Sequence, residues 1–196
     1  MSARRTKIAE RSASWEQRVR RVTQSSRLSS VARKLVLMDA VGDTEPLVRI
    51  AAIEAFRGSR VPWSRPVLLA ALSDKNNLVR TYAAIEISDI SALRDTVVLS
   101  RHLMIARSTF RVALLAALTK VDQSLYFPKL LGYIARTSNY RDVCMAARLL
   151  RSSELSAQAR NRARAALLSA RRRFKSRAVN DAVREFIGNS TPTARQ

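Results

Sequence analysis

The sequence predicts an all-α protein, and three observations support this fold class. Glycine and proline are scarce, with four and five residues among 196, and they separate segments of about 10 to 14 residues, an ordinary helix length. Within these segments apolar residues recur at steps of three and four, the spacing of one helix face. No run of strand length alternates apolar and polar residues.

Two helices are predicted at the start of the chain. The first carries a weak apolar stripe of Trp15, Val19 and Val22, which we expect to pack on the following helices as an N-terminal cap. The second carries apolar residues at steps of three, four and three. These residues are Leu28, Val31, Leu35 and Met38.

The prolines predict further helix starts. Proline is tolerated in the first turn of a helix because the N–H that it lacks would have no partner there. We therefore expect helices to begin at Pro46, Pro62, Pro66 and Pro128.

One sequence motif recurs along the chain at a fixed spacing. Arg49 and Arg80 stand 31 positions apart, and each is followed by a pair of alanines. Asp43 and Asp74 are also 31 positions apart, each six residues ahead of its arginine. A fixed period of this length is typical of stacked helical repeats.

Two further copies of the motif are less complete. Arg111 follows Arg80 at the same spacing, and Arg141 follows Arg111 at a spacing one position shorter. The positions six residues ahead of these two arginines hold Ile105 and Ala135 in place of aspartate. Four units are therefore predicted, and the last two lack the acidic residue.

On these residues the chain resembles the HEAT-repeat family, in particular the short bacterial HEAT-like units that also occur in phycobilisome-lyase-type proteins. The resemblance covers roughly residues 28 to 151. It implies a right-handed α-solenoid of about four to five helical hairpins, each burying its apolar faces against its neighbours. It also implies that aspartates and arginines of adjacent repeats pair or cap helix ends, which gives a structural role to Asp43, Asp74, Arg49, Arg80, Arg111 and Arg141. The alternative is that the arginines form a ladder facing a polyanion.

Four parts are expected along the chain. Residues 1–27 form a disordered start and a basic N-terminal cap helix, and residues 28–151 form the HEAT-like solenoid. Residues 152–187 form basic C-terminal helices, and residues 188–196 form a disordered tail. Within the first part we expect disorder over residues 1–8, since chain ends are ordered only where they are tied down.

The positive charge is concentrated at the two ends. The chain has 36 Lys and Arg against 15 Asp and Glu, a net charge of +21, which makes an anionic partner the first hypothesis. Residues 1–34 carry +8, residues 35–140 carry +4 and residues 141–196 carry +9. Thirty of the basic residues are arginine, the better partner for phosphate, although a GC-rich coding bias would give the same excess.

Much of the C-terminal charge falls on a helix predicted from Ser156 to about Phe174. Its apolar residues occupy one face, and its basic residues lie about a quarter turn away and around the far side. Such a helix would dock by one face and present phosphate-binding cations on the other, or it would be a solvated end cap. The predicted nucleic-acid-binding residues here are Arg160, Arg162, Arg164, Arg171, Arg172, Arg173, Lys175 and Arg177. Arg18, Arg20 and Arg21 are the corresponding residues of the N-terminal helix.

Several function classes lack the residues that they need. With one cysteine, Cys144, and one histidine, His102, the chain cannot form a disulfide framework, a Cys-based zinc site or a multi-histidine centre. We therefore predict no metal, no cofactor and no catalytic residue. The sequence has no apolar run of about 18 residues and no secretory leader, which predicts a cytoplasmic protein that does not bind membranes.

The chain is thus predicted to be a non-enzymatic binding protein that contacts a polyanion, most simply nucleic acid phosphates, through its basic terminal helices. The first alternative is a scaffold or adaptor for an acidic protein, which is a common use of HEAT solenoids. The second alternative is a HEAT-like DNA glycosylase or lyase. For a glycosylase the candidate residues would be Asp89, Trp63, Tyr82 and Tyr133.

Overall fold

The computed structural model describes residues 14–57, 61–88 and 95–188. These residues form eleven α-helices and one 3-10 turn, with no strand among them, so the all-α class is confirmed. The chain divides into two compact units, Met1–Ile90 and Ser91–Gln196. The predicted disordered start, and all of the predicted tail except the helical Gly188, lie outside the described residues.

The first unit contains five helices and a 3-10 turn at Ser25–Arg27 within its described residues. The helices are α1 (Trp15–Gln24), α2 (Ser30–Ala40), α3 (Pro46–Glu54), α4 (Ser64–Ala71) and α5 (Asn77–Ile87). Helices α1, α3 and α5 pack side by side in a row, while α2 packs on α1 and α3, and α4 packs on α5. The buried apolar residues of this unit include Val22, Leu37, Val48, Ile53, Leu68, Leu72, Val79 and Ile87.

Polar caps and a proline set the helix starts in the first unit. The Ser14 hydroxyl accepts a hydrogen bond from the Gln17 N–H at 3.3 Å, and Gln17 Oε1 accepts from the Ser14 N–H at 3.1 Å. This reciprocal pair satisfies two of the N–H groups that a helix start leaves unpaired. Helix α3 begins with Pro46, and Asn76 Oδ1 accepts from the Leu78 N–H at the start of α5.

Helix α2 has apolar residues on two opposite faces. Its buried face carries Val36, Leu37 and Ala40. The face predicted from the regular apolar spacing is exposed. Val31, Leu35 and Met38 lie on this face of α2. Leu28, which the prediction placed on the same helix face, is also exposed but lies before the helix cap in extended backbone.

The second unit contains six helices in its described part. They are α6 (Thr96–Ile105), α7 (Ser108–Val121), α8 (Gln123–Arg136), α9 (Tyr140–Arg151), α10 (Ala157–Arg173) and α11 (Arg177–Gly188). Helices α7, α9 and α11 pack side by side in a row, α6 and α8 pack on α7, and α10 packs on α8 and α11. Helix α7 is central to this unit, since every residue from Val112 to Thr119 is buried.

The prediction that Pro128 begins a helix is wrong. Helix α8 begins five residues earlier, after Asp122, whose carboxylate accepts from the Leu125 N–H at 3.0 Å. Pro128 is the sixth residue of α8 and is exposed, so the Asp122 cap rather than the proline sets the start of the helix. Of the other predicted starts, Pro46 and Pro66 lie in first turns and Pro62 shortly precedes α4.

Among the described residues, no helix combines the length and the apolar composition that a membrane span requires.

Candidate functional site

Four helices of the two rows, as far as the chain is described, carry an arginine as their fourth residue. These arginines are Arg18 in α1, Arg49 in α3, Arg80 in α5 and Arg111 in α7, and they are evenly spaced, 31 positions apart. Arg18, predicted above to bind phosphate, is therefore the first member of the repeated series. Its regular spacing from Arg49 is the sequence signal for this placement.

The first two arginines form two-pronged ion pairs with aspartates 25 positions downstream. Arg49 Nε and Nη2 lie 2.8 and 2.9 Å from the two carboxylate oxygens of Asp74. Arg18 Nε and Nη2 lie 2.8 and 3.1 Å from those of Asp43. Arg49 Nη1 also donates to the main-chain carbonyls of Asp43 and Thr44, at 2.8 and 3.0 Å. We call the Arg18–Asp43 and Arg49–Asp74 pairs the Arg–Asp rungs, because each joins one helix of the α1, α3, α5 row to the loop before the next.

The aspartates of the Arg–Asp rungs are held ionised. Burial would raise the pKa of Asp74, but hydrogen bonds from Arg49 and from the Asn76 N–H outweigh it, and the pKa lies below its ordinary value. The same balance lowers the pKa of Asp43, which accepts from Arg18 and from a main-chain N–H. Arg49 is only 4% exposed, so its guanidinium does not face solution.

The next two arginines hold main-chain carbonyls. Arg80 Nη1 donates to the Asp74 carbonyl at 2.6 Å, in the loop before α5. Arg111 Nη1 donates to the carbonyls of Leu103 and Ala106, both at 3.2 Å, just ahead of α7. As in α3, the arginine satisfies carbonyl groups that the preceding helix end and loop leave unpaired.

Arg141 does not occupy the position that the other arginines share. It is the second residue of α9, and the fourth residue of that helix is Val143. Its side chain is exposed, and its guanidinium lies 5.8 Å from the Tyr140 ring centroid. Two offsets of one position each cause this difference. Helix α9 begins one position later than the period set by α3, α5 and α7 requires, and Arg141 follows Arg111 at a spacing one position shorter than that period.

A buried carboxylate, Asp142, organises polar contacts in the second unit. It is 1% exposed and accepts hydrogen bonds from four side chains. These are the hydroxyls of Tyr133 at 2.8 Å, Ser108 at 2.9 Å and Thr137 at 3.0 Å, and the amide of Asn139 at 3.1 Å. Burial and the bond to Asp142 raise the pKa of Tyr133.

The same network holds a strained turn at the start of α7. Ser108 has a φ of 51°, in the left-handed region that residues other than glycine rarely adopt. Its hydroxyl is fixed between Asp142 and the Asn139 amide, which donates to it at 2.7 Å. No sequence pattern identified Asp142, because its partners come from three separate segments.

The arginines of α10 on the side toward α11 contact that helix. Arg171 Nε donates to Asn180 Oδ1 at 2.9 Å. The Arg160 guanidinium lies 6.0 Å from the Phe186 ring centroid, within cation–π distance. Both side chains therefore contribute to the packing of α10 on α11.

Two arginines on the opposite side of α10 contact α8. Arg173 Nη2 donates to the Ile134 carbonyl at 2.6 Å, and Nη1 donates to the Thr137 carbonyl at 3.4 Å. Arg173 thus caps the C-terminal end of α8, where a cation also complements the helix dipole. Arg162 lies 5.8 Å from the Phe127 ring centroid.

Three predicted phosphate-binding residues, at α10 and in the turn after it, are exposed and also lack a contact within the described chain. The side chains of Arg164, Arg172 and Lys175 make no hydrogen bond, ion pair or ring contact with the rest of the described chain. Arg164 and Arg172 are two turns apart, which separates them by about 80° around the helix and about 12 Å along it. We call these three residues the α10 cationic surface.

The other predicted phosphate-binding residues differ in their surroundings. Arg177 is 97% exposed at the side chain and lies 3.8 Å from Asp181. In the first unit, Arg20 and Arg21 are exposed on α1, whereas Arg18 belongs to an Arg–Asp rung.

The residues considered for a glycosylase have mainly packing contacts. Asp89 lies outside the described residues. Trp63 packs edge-on against Phe56 with ring centroids 5.2 Å apart, and Tyr82 is half-buried in α5. Tyr133 donates to Asp142, as described above.

The single histidine and the single cysteine also pack within the protein. His102 makes an edge-on contact with Phe110 at 6.5 Å. Burial raises the pKa of Cys144, which opposes formation of the reactive thiolate. Among the described residues, no three His, Cys, Asp or Glu side chains come together as ligands for a metal ion.

The fold and these contacts define an all-α protein of packed helical pairs with exposed cations on α10. No protein-family model matches the chain, and no curated protein sequence matches it.

Proposed function

We propose that the chain is a non-enzymatic HEAT-like repeat protein that binds nucleic acid through the α10 cationic surface. The helix rows within each unit and the evenly spaced arginines support a right-handed solenoid of repeated hairpins. We also propose that the protein is cytoplasmic and binds nucleic acid without a cofactor.

The proposal rests on the exposure and the lack of contacts of three side chains, those of Arg164, Arg172 and Lys175. Other basic side chains of α10 contact α8 or α11, whereas these three are exposed without a partner in the described chain. Solvated cations without acidic neighbours are suited to phosphate contacts, because binding releases counterions from the nucleic acid.

Acidic side chains do little to neutralise this region. Residues 157–188 contain nine Lys and Arg against two acids. Both acids lie beside other arginines: Glu185 lies 2.8 Å from Arg151, and Asp181 lies 3.7 Å from Arg184. Residues 157–188 therefore carry a net charge of +7, the nine basic residues less the two acids.

The packing of α10 also favours binding, since the helix is already fixed in place. Arg173 caps α8, and Arg171 bonds to α11. A helix held on two sides loses little conformational freedom when its remaining cations meet phosphates. Because the contacts are to phosphate groups, we expect weak sequence preference.

The test is the salt dependence of binding to a labelled DNA duplex of about 20 base pairs, followed by fluorescence anisotropy between about 50 and 200 mM salt. The triple variant Arg164→Gln, Arg172→Gln, Lys175→Gln should reduce the slope of log K against log salt by about 2 to 3, since each lost phosphate contact removes about 0.9. A single-stranded RNA of similar length, measured in parallel, shows which nucleic acid binds more tightly.

A matched control removes the same charge elsewhere. The side chains of Arg27, Lys75 and Arg101 are exposed and make no hydrogen bond, ion pair or ring contact with other described residues, and their replacement by glutamine should leave the slope nearly unchanged. Equal slopes for wild type and the α10 variant, or equal losses in both triple variants, would overturn the proposal.

A further inference from the structure

A second surface, in the first unit, goes beyond the proposed nucleic-acid contact. The exposed apolar residues of α2 share one face of the helix, and Leu28, just before the helix cap, lines a groove together with Leu35 of that face. We call these four residues the α2 stripe. Its members Leu28, Val31, Leu35 and Met38 are 44%, 70%, 67% and 44% exposed. A helix that is apolar on two opposite faces is normally covered on both, and in the described chain only the inner face is covered.

The stripe borders a groove between α1 and α2. The groove has a volume of about 530 Å³, and Leu28, Ala32, Leu35 and Val36 form its apolar side. From Val31 to Met38 the stripe runs about 10 Å along the helix axis, so it matches two turns of a partner helix. Apolar anchors at this spacing are typical of helix-in-groove recognition.

The polar wall of the groove is cationic. Arg20 and Arg21 of α1 line it together with Gln17 and Gln24, and no acidic residue is among its lining in the described chain. Arg27, in the 3-10 turn near Leu28, is also exposed. An occupant with acidic residues beside its apolar face would complement both walls.

Charge argues against two other occupants of this groove. A second copy of the chain would bring another net charge of +21 to the same surface. Residues 1–13 contain four Lys and Arg against one acid, so they would repel Arg20 and Arg21.

We propose that the α2 stripe and its groove bind an amphipathic helix of another protein, with leucine-like anchors on one face and acidic residues beside them. The sequence offered an adaptor for an acidic protein as an alternative function. This surface would be the binding site for that role, and its partner would be an acidic, amphipathic helix. A protein helix is favoured over an anionic membrane because the surface is a concave groove, whereas interfacial helices lie on an open plane.

The test is selection from a displayed library of helical peptides of about 18 residues. Leucines are fixed at steps of three and four, and flanking positions are drawn equally from Glu, Lys, Gln and Ala. We expect the recovered peptides to be enriched in Glu over Lys. Their affinity should fall about tenfold or more for the variant Val31→Glu, Leu35→Glu, as is common when interface anchors are replaced.

A matched control carries the same changes on another exposed apolar face. Val97 and Met104 on α6 are 66% and 83% exposed, and Val97→Glu, Met104→Glu should bind the peptides as wild type does. Because all four substituted residues are exposed, circular dichroism should show unchanged helix content. Arg20→Glu should weaken the binding of Glu-rich peptides, and the leucines of the peptides should still be needed for binding.

Several results would overturn the inference. The inference fails if the selection enriches no peptide, or if the recovered peptides contain no excess of Glu over Lys. It also fails if the Val31→Glu, Leu35→Glu variant binds the recovered peptides as tightly as wild type does. Concentration-dependent dimers that this variant abolishes would identify a second copy as the occupant instead. Sedimentation with phosphatidylcholine–phosphatidylglycerol vesicles that depends on the stripe would identify a membrane. The α10 variants leave the α2 stripe unchanged, so a failure of peptide binding and a failure of nucleic-acid binding are measured separately.

Discussion

Replacing Arg49 by alanine should destabilise the first unit by about 3 kcal/mol. Breaking a buried ion pair by removing one partner typically costs about 3 to 5 kcal/mol, because the other charge stays buried. Asp74 keeps 15% side-chain exposure and its bond from the Asn76 N–H, which lowers this cost. The carbonyls of Asp43 and Thr44 also lose a donor, at about 1 kcal/mol each where water cannot replace it.

Urea unfolding followed by tryptophan fluorescence measures this change selectively. Both tryptophans, Trp15 and Trp63, belong to the first unit, so their emission reports its unfolding. The matched variant Arg18→Ala should cost less, about 1 to 2 kcal/mol, because the Arg18 side chain is 23% exposed and Arg49 only 5%. A loss below about 1 kcal/mol for Arg49→Ala, or equal losses in both variants, would refute the assignment of Arg49 as a buried stabilising cation.

The pH dependence gives a second measurement of the same pair. The folded pKa of Asp74 is lowered, so its contribution to stability is full above the unfolded carboxyl pKa of about 3.9 and is lost as the pH falls through the folded pKa. Wild-type fluorescence should therefore show the first unit losing stability below about pH 4. Arg49→Ala should flatten this acid dependence, and an unchanged slope would count against the pair.

Two further predictions concern the second unit. Asp142→Ala should lower the free energy of unfolding of this unit by about 3 kcal/mol, since four donors lose a buried acceptor. Hydrogen exchange of the α7 and α9 amides measures this loss. The control Asp122→Ala, at an exposed helix cap, should cost less. Cys144, whose pKa is raised by burial, should react with a thiol reagent near pH 8 more slowly than a free cysteine does, and denaturant should remove the difference; equal rates in the folded protein would contradict that burial.

The Arg–Asp rungs could be predicted from the sequence to the extent that they depend on period. The regular spacing places Arg49 and Asp74 in successive copies of the sequence motif, and packing of α3 on α5 brings them together. The same rule fails at Arg141. Helix α9 begins one position later than the period requires, and Arg141 stands one position earlier. Arg141 is therefore the second rather than the fourth residue of α9. Spacing therefore predicts contacts only while the helix starts keep the same period.

The candidate surfaces could be predicted only in part. A helical wheel gives the directions of the α10 arginines, but not that Arg171 meets α11 or that Arg173 meets the end of α8. These contacts depend on which helices lie alongside, and periodicity carries no such information. For the same reason the spacing of Val31 and Leu35 identifies a helix face without showing whether another helix covers it.

The Arg–Asp rungs also determine how this protein can change in length. Each rung joins positions 25 apart inside one repeat period, so a tandem duplication of residues 46–76 would carry its own arginine and its own aspartate in register. Such a duplication would leave every existing rung intact, because each rung joins only a helix and the loop before the next helix of the row. An insertion of a few residues between Arg49 and Asp74 would instead separate the partners. Addition of a whole 31-residue period is thus the change in length that the Arg–Asp rungs tolerate best.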